Sequence, residues 1–248
     1  MSKTATDGTR QKGKWTRRAF IGAGVVAGSA LVVGVAVRPG NPIERLSPML
    51  ANGKDEQLLN AWVKLDADNI VTAVVPHVEM GQGVYTALAQ MLADEMDADW
   101  SKVRILEAPA DMQYVSDSIG RDFLFPDLEV PALLEPTVAG GILELAQAMG
   151  LQFTGGSYSV RATGQRAMRT AGAAAREMLV AAAASEWQVP ASEISTADSM
   201  ISHGKSGRSE PFAKFALAAA AQSLPAKPKL KSPEEYKLMG LPKARHDI

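Results

Sequence analysis

Three features of this 248-residue sequence predict an α+β fold. Leu59–Leu65 alternates apolar with polar residues, and Ile70–Pro76 is β-branched and apolar. A polar turn, Asp66-Ala67-Asp68-Asn69, separates them, so the pair reads as a hairpin. Val84–Met96 then repeats at helical spacing. Ser159–Trp187 is a long alanine-rich helix, with Gly164 and Gly172 allowing close backbone approach. Strands grouped in hairpins and separate helices are the pattern of an α+β chain.

Each element has its own signal. In Val84–Met96 the residues Val84, Leu88, Met91, Leu92 and Met96 share one stripe, while Asp94, Glu95 and Asp97 lie off it and read as a solvated face. Val103–Leu106 reads as a strand. Residues 109–136 hold four prolines and several acids and read as irregular. Thr137–Met149 reads as a helix weakened by Gly140-Gly141. Glu193–Thr196 and Met200–His203 form a second hairpin around Ala197-Asp198-Ser199, and Phe212–Gln222 is a short alanine-rich helix. Residues 41–56 contain Pro42, Pro48, Asn52 and Gly53 without sustained periodicity and read as a linker. Residues 225–248, rich in Pro and Lys, read as an extended arm or linker.

The first forty residues read as a targeting segment. A basic leader runs to Arg18, with Lys3, Arg10, Lys12, Lys14, Arg17 and Arg18 against Asp7 alone. An uncharged stretch, Ala19 to Val37, follows, and Arg38-Pro39-Gly40 ends it. Thr16-Arg17-Arg18-Ala19-Phe20-Ile21 resembles the twin-arginine export consensus. The alternatives are an ordinary secretory signal or a membrane anchor, for which the apolar stretch is barely long enough. The twin-arginine route carries folded proteins loaded with cofactor, so the expectation is a periplasmic protein, with or without a membrane attachment.

Composition narrows the partners. Residues 51–150 carry 17 Asp and Glu against 5 Lys and Arg, a net of −12, which argues against nucleic acid. Cys is absent, so this chain ligates no iron–sulfur cluster and forms no disulfide. His77, His203 and His246 are scattered and suggest no metal site. No catalytic acid–base pair stands out.

Two glycine loops are candidate cofactor sites. Gly81-Gln82-Gly83 lies between a strand and a helix, where free N–H groups and the helix dipole favour an anion, and Gln82 can both donate and accept. The plain alternative is a structural turn. Thr154-Gly155-Gly156-Ser157-Tyr158-Ser159 precedes the long helix, where Arg161 and Arg166 could add charge, and the alternative there is a helix cap. Neither loop has the P-loop or Rossmann spacing.

EMGQGVYTALAQMLADEMDADWSKVRI and TGGSYSVRATGQRAMRTAGAAAREMLVAAAASEWQVPASEI resemble the molybdenum-binding (beta) subunit of xanthine dehydrogenase/aldehyde oxidase-type molybdenum hydroxylases, in the isoquinoline 1-oxidoreductase-like branch. The resemblance runs from about Leu58 onward and implies an incomplete molybdopterin-binding domain at residues 57–224. Residues 1–40 are then the signal or anchor, 41–56 a linker, and 225–248 a linker toward a missing domain. By resemblance, Gly81, Gln82 and Gly83 contact the pterin side of molybdopterin. Thr154, Gly155, Gly156, Ser157 and Ser159 take the phosphate side, with the cofactor in its cytosine dinucleotide form. The implied reaction is hydroxylation of an aldehyde or N-heterocycle. Electrons pass to a [2Fe–2S] subunit, with a cytochrome c as a candidate next carrier. The family's catalytic glutamate lies in a Gly-x-Gly-Glu loop, and nothing here matches it. A complementary half of the subunit is therefore an implied partner. The alternative is a non-catalytic truncated or assembly fragment that retains only anion-binding helix N-termini.

Overall fold

The computed structural model describes residues 42–51, 53, 55–115, 117–152 and 157–245. The segment read as a twin-arginine signal lies outside them, as does His246. The segment read as a linker contains helix α1 (Pro42–Leu50). Its two prolines hide the helix in the sequence. Leu46 and Leu50, one turn apart, are buried with Leu58, Val74 and Tyr114 and supply the reason to fold. Arg45 locks this helix by a two-pronged bond to Asp111, at 2.9 and 2.8 Å. The paired guanidinium holds the Asp111 carboxyl below the ordinary range.

The stretch Leu59–Leu65 is not one strand but the bend between two, β1 (Glu56–Asn60) and β2 (Val63–Asp66). Asn60 forces the turn: its Oδ1 accepts the Trp62 N–H at 2.9 Å, and its Nδ2 donates to the Ala171 carbonyl at 3.0 Å. β3 (Val71–Val75) pairs antiparallel with β2, as the hairpin reading expects, through the turn at Asn69. From β3 the chain crosses through α2 (Val84–Met96) to β4 (Val103–Glu107), which pairs parallel with β3 from Val71–Val103 to Val75–Glu107. The sheet order is β1-β2-β3-β4. All five residues of β3 are buried because both faces are covered. Val71, Ala73 and Val75 pack into the main core with α2, and Val74 packs toward α1 and Tyr114.

The stretch read as irregular carries a helix, α3 (Asp117–Leu124), which packs on α4 (Glu135–Ala148). A Cβ at Gly120 would sit 2.8 Å from the Ala146 Cβ, so glycine sets that approach. The long helix is resolved into α5 (Ser157–Thr163), a π-helical turn (Gly164–Met168) and α6 (Arg169–Trp187). Arg169 N–H reaches back five residues to the Gly164 carbonyl. The two glycines named from sequence do make close contacts. A Cβ at Gly164 would lie 2.3 Å from Met91 Sδ, and one at Gly172 would lie 2.4 Å from the Leu92 carbonyl oxygen. At Gly172, α6 therefore meets the backbone of α2, while Gly164 in the π-helical turn makes room for the Met91 side chain.

The second sheet, β5 (Ile194–Ala197), β6 (Met200–His203) and β7 (Arg208–Pro211), is a meander. Asp198 and Ser199 take positive φ at its first turn. α7 (Phe212–Ala220) then packs on α6, with Phe215 edge-on to Trp187 at 5.3 Å. Among the described residues no helix is long and apolar enough to cross a membrane.

Asp94, Glu95 and Asp97 overturn their reading as a solvated face. Asp94 is 1% exposed and Glu95 0%. Glu95 Oε1 accepts from Arg169 Nε at 2.8 Å, and its Oε2 accepts the Lys231 N–H at 2.9 Å. Asp94 accepts three successive N–H groups, of Lys237, Leu238 and Met239, at 3.0, 3.0 and 2.8 Å. Arg169 also donates to the Lys231 carbonyl at 2.7 Å and lies over the Tyr236 ring. Residues 225–245, read as an arm or linker, are thus strapped across α2 and α6. Lys231, itself buried, reaches the Asp94 carbonyl and sits 2.8 Å from Asp97 Oδ1.

Burial alone would raise the Asp97 carboxyl. Hydrogen bonds from Lys231, Thr196 and Lys237 outweigh it and hold the group below 3.8. A carboxylate lowered in the folded state stabilises fully above its unfolded value and loses that contribution as pH falls through the folded one. Between about pH 5 and 2 the thermal midpoint should therefore fall more steeply for the wild type than for Asp97→Asn. Equal slopes in melts followed by circular dichroism would show that Asp97 does not couple the strap to the fold.

Candidate functional site

The Gly81-Gln82-Gly83 turn sits where the chain leaves β3 and enters α2. Gly83 is the residue before the helix, in the left-handed region at φ 78, and Gly81 is at φ 92. Side chains rarely adopt either conformation. A Cβ at either glycine would meet nothing within 4 Å, so backbone conformation, not crowding, demands glycine here. Gly81 and Gln82 are exposed.

The loop amides, expected to be free, are occupied from within. Glu79 Oε1 accepts the N–H of Gly81 at 2.8 Å and of Gly83 at 2.9 Å, and Oε2 accepts the N–H of Tyr85 at 3.1 Å. Gln82 folds back on the same loop: its Oε1 accepts the Met80 N–H, and its Nε2 donates to the Val78 carbonyl at 2.9 Å. Arg245, at the end of the strap, lies 3.6 Å from Glu79 Oε1. The sequence signal for Glu79 was present, a carboxylate just before a helix start, but the glycines drew the attention.

Next to the loop a cavity of about 570 Å³ opens beyond the carboxyl ends of the parallel strands. Pro76 and Val78 line it after β3, Glu107 and Ala108 at the end of β4, and Gly150 and Gln152 on the approach to the second glycine loop. Such a crevice at the ends of parallel strands is a common ligand position. It is invisible to sequence reading, because its lining comes from three distant segments.

Of the second loop, Thr154, Gly155 and Gly156 lie outside the described residues. Ser157 begins α5 and is exposed, and Ser159 lies within that helix. Arg161 and Arg166 are exposed. One buried bond joins the two regions: His77 Nε2, at the end of β3, lies 2.7 Å from Oγ1 of Thr163, the last residue of α5. His77 is 2% exposed, so this histidine is a core group. His203 is buried as well, between Ser206 at 2.7 Å and Glu193 at 3.0 Å, far along the chain from both loops. Among the described residues no group of three or more His, Cys, Asp or Glu is arranged to hold a metal.

Known proteins match this sequence. Residues 8–120, from within the basic leader through α2 and β4, match the molybdopterin cofactor-binding domain. The match includes Gly81-Gln82-Gly83 and ends before Thr154. The chain is 32% identical over 214 residues to isoquinoline 1-oxidoreductase subunit beta of Brevundimonas diminuta, covering 86% of this chain and 23% of that one. It is 31% identical over 207 residues to the membrane-bound aldehyde dehydrogenase [pyrroloquinoline-quinone] of Gluconacetobacter polyoxogenes, covering 80% and 21%. The fold is therefore that of a molybdopterin cofactor-binding domain, in part. These matches support a molybdenum-binding subunit of the family that includes the isoquinoline 1-oxidoreductase beta subunit, covered in part. It spans between a fifth and a quarter of the length of the two relatives.

The His77–Thr163 bond gives a direct check on how the two loop regions are tied. Thr163→Val keeps the shape, removes the hydroxyl and leaves a buried ring nitrogen short of a partner, which costs about 1–3 kcal/mol. Denaturant unfolding should show that loss. An unchanged midpoint and slope would show that the bond does not hold α5 to β3.

Proposed function

We propose that this chain forms part of the molybdopterin-binding subunit of a molybdenum hydroxylase that oxidises aldehydes or N-heterocycles. The observation that carries the reading is the Gly81-Gln82-Gly83 turn itself. Two left-handed glycines follow shortly after Val78, which lines a crevice beyond parallel strands, inside the stretch that matches the molybdopterin cofactor-binding domain. One relative has pyrroloquinoline-quinone in its name, but the molybdopterin reading is preferred because the family match covers the loop.

The residues fit that group. The open space over Gly81 and Gly83 leaves the backbone approachable, and exposed Gln82 presents an amide beside it. In this reading these three residues meet the pterin, while Thr154, Gly155, Gly156, Ser157 and Ser159 take the phosphate side of a cytosine dinucleotide. The bound group supplies the redox-active metal. This chain's own residues orient it and shape one wall of its crevice, and no general base is assigned among them. A complementary part of the subunit supplies that base, and a [2Fe–2S] subunit, followed by a cytochrome c, takes the electrons. The Arg17-Arg18 leader supports export to the periplasm by the twin-arginine route.

A second reading, a non-catalytic assembly fragment, draws on the loop amides already held by Glu79. Purification from periplasmic and membrane fractions separates the two. The hydroxylase reading expects co-purifying protein, molybdenum in near-stoichiometric amount, and cytidine monophosphate released by acid. A metal-free single chain that releases no nucleotide would overturn it.

A further inference from the structure

The N-terminus of α2 already holds an anion, and it belongs to the chain. Glu79 is a few residues upstream, its side chain is 10% exposed, and both carboxylate oxygens are bonded to amides of the helix entrance. Three N–H groups converge on it, from Gly81, Gly83 and Tyr85. Charge-assisted bonds of this kind are about twice as strong as neutral ones. The carboxylate also sits at the positive end of the helix dipole, where an external anion would otherwise be drawn.

We propose that Glu79 is the resident anion of this helix. It positions the Gly81-Gln82-Gly83 loop and bars a phosphate from it, leaving the loop's open face to the pterin side of the cofactor. Two effects act together. The donors a phosphate would need are engaged, and a phosphate entering the turn would meet a like charge at short range. The glycines then do a different job from the one their spacing suggests. Their positive φ values bend the chain so that alternate amides face Glu79, while the space above each glycine stays open. Gln82 closes the same turn from the other side through Met80 and Val78, so the shape exists before any ligand arrives. Arg245, 3.6 Å from Glu79 Oε1, adds positive charge beside the carboxylate.

The meaning of this for cofactor selection rests on the molybdopterin reading, but its test does not, because the probe is inorganic phosphate and the readout is the unloaded chain. Backbone amide resonances of the 248-residue protein are followed as phosphate is added. In the wild type, Gly81, Gly83 and Tyr85 should move no more than amides elsewhere. In Glu79→Ala they should titrate saturably, with an affinity tighter by about tenfold or more, since a bound anion regains the vacated bonds. Glu79→Asp, still charged, should stay closer to the wild type than Glu79→Gln, which lacks the charge. A merely structural role would not order the variants by charge. Resonances of α6 report whether each variant is folded, and Glu79→Gln keeps the side chain's length if the alanine variant is unstable. Wild-type amides that titrate as strongly as those of Glu79→Ala would overturn the proposal. So would variants whose loop amides ignore phosphate while the fold is intact.

Discussion

Two carboxylates with almost no exposure to water, Asp94 and Glu95, impose the arrangement on which the rest depends. A buried charge is tolerable only when its lone pairs are taken up. Glu95 meets that demand with Arg169 from α6 and an amide of the strap. Asp94 meets it with three further amides of the strap. One turn of α2 therefore fixes both the helix packed beside it and the chain that closes over it. Gly172 allows the approach, since a side chain there would strike the backbone of α2.

The same helix carries the Gly81-Gln82-Gly83 loop at its other end, and the physics at the two ends is alike. At both, a carboxylate collects several backbone N–H groups: Asp94 from successive residues of the strap, Glu79 from alternate residues of the turn and first helical turn. The strap joins them, anchored at Asp94 and ending near Glu79 through Arg245. The loop thus stands on a rigid element clamped from outside, in keeping with a site that must hold its shape before a ligand binds.

Periodicity made much of this fold legible. Val84–Met96 has helical spacing and buries Val84, Leu88, Leu92 and Met96, and the β-branched run before it forms β3. What stayed hidden depends on distant partners or weak patterns. Asp94 looks like any surface aspartate until the strap, about 140 residues later, is placed over it. β7 is an exposed edge strand, Arg-Ser-Glu-Pro, without apolar alternation to announce it. α1 is disguised by its prolines. In the site, glycine spacing located the turn and its left-handed backbone. Glu79 took the role assigned to a ligand because hydrogen-bond direction is not written in spacing.

The chain's own carboxylate, Glu79, fills the entrance of α2. The most direct measurement is a structure of the assembled subunit purified with its molybdopterin bound. In it Glu79 should still accept the amides of Gly81, Gly83 and Tyr85, with the pterin against the open face of the loop and the phosphate elsewhere. A phosphate seated on those amides, with Glu79 turned away, would contradict it.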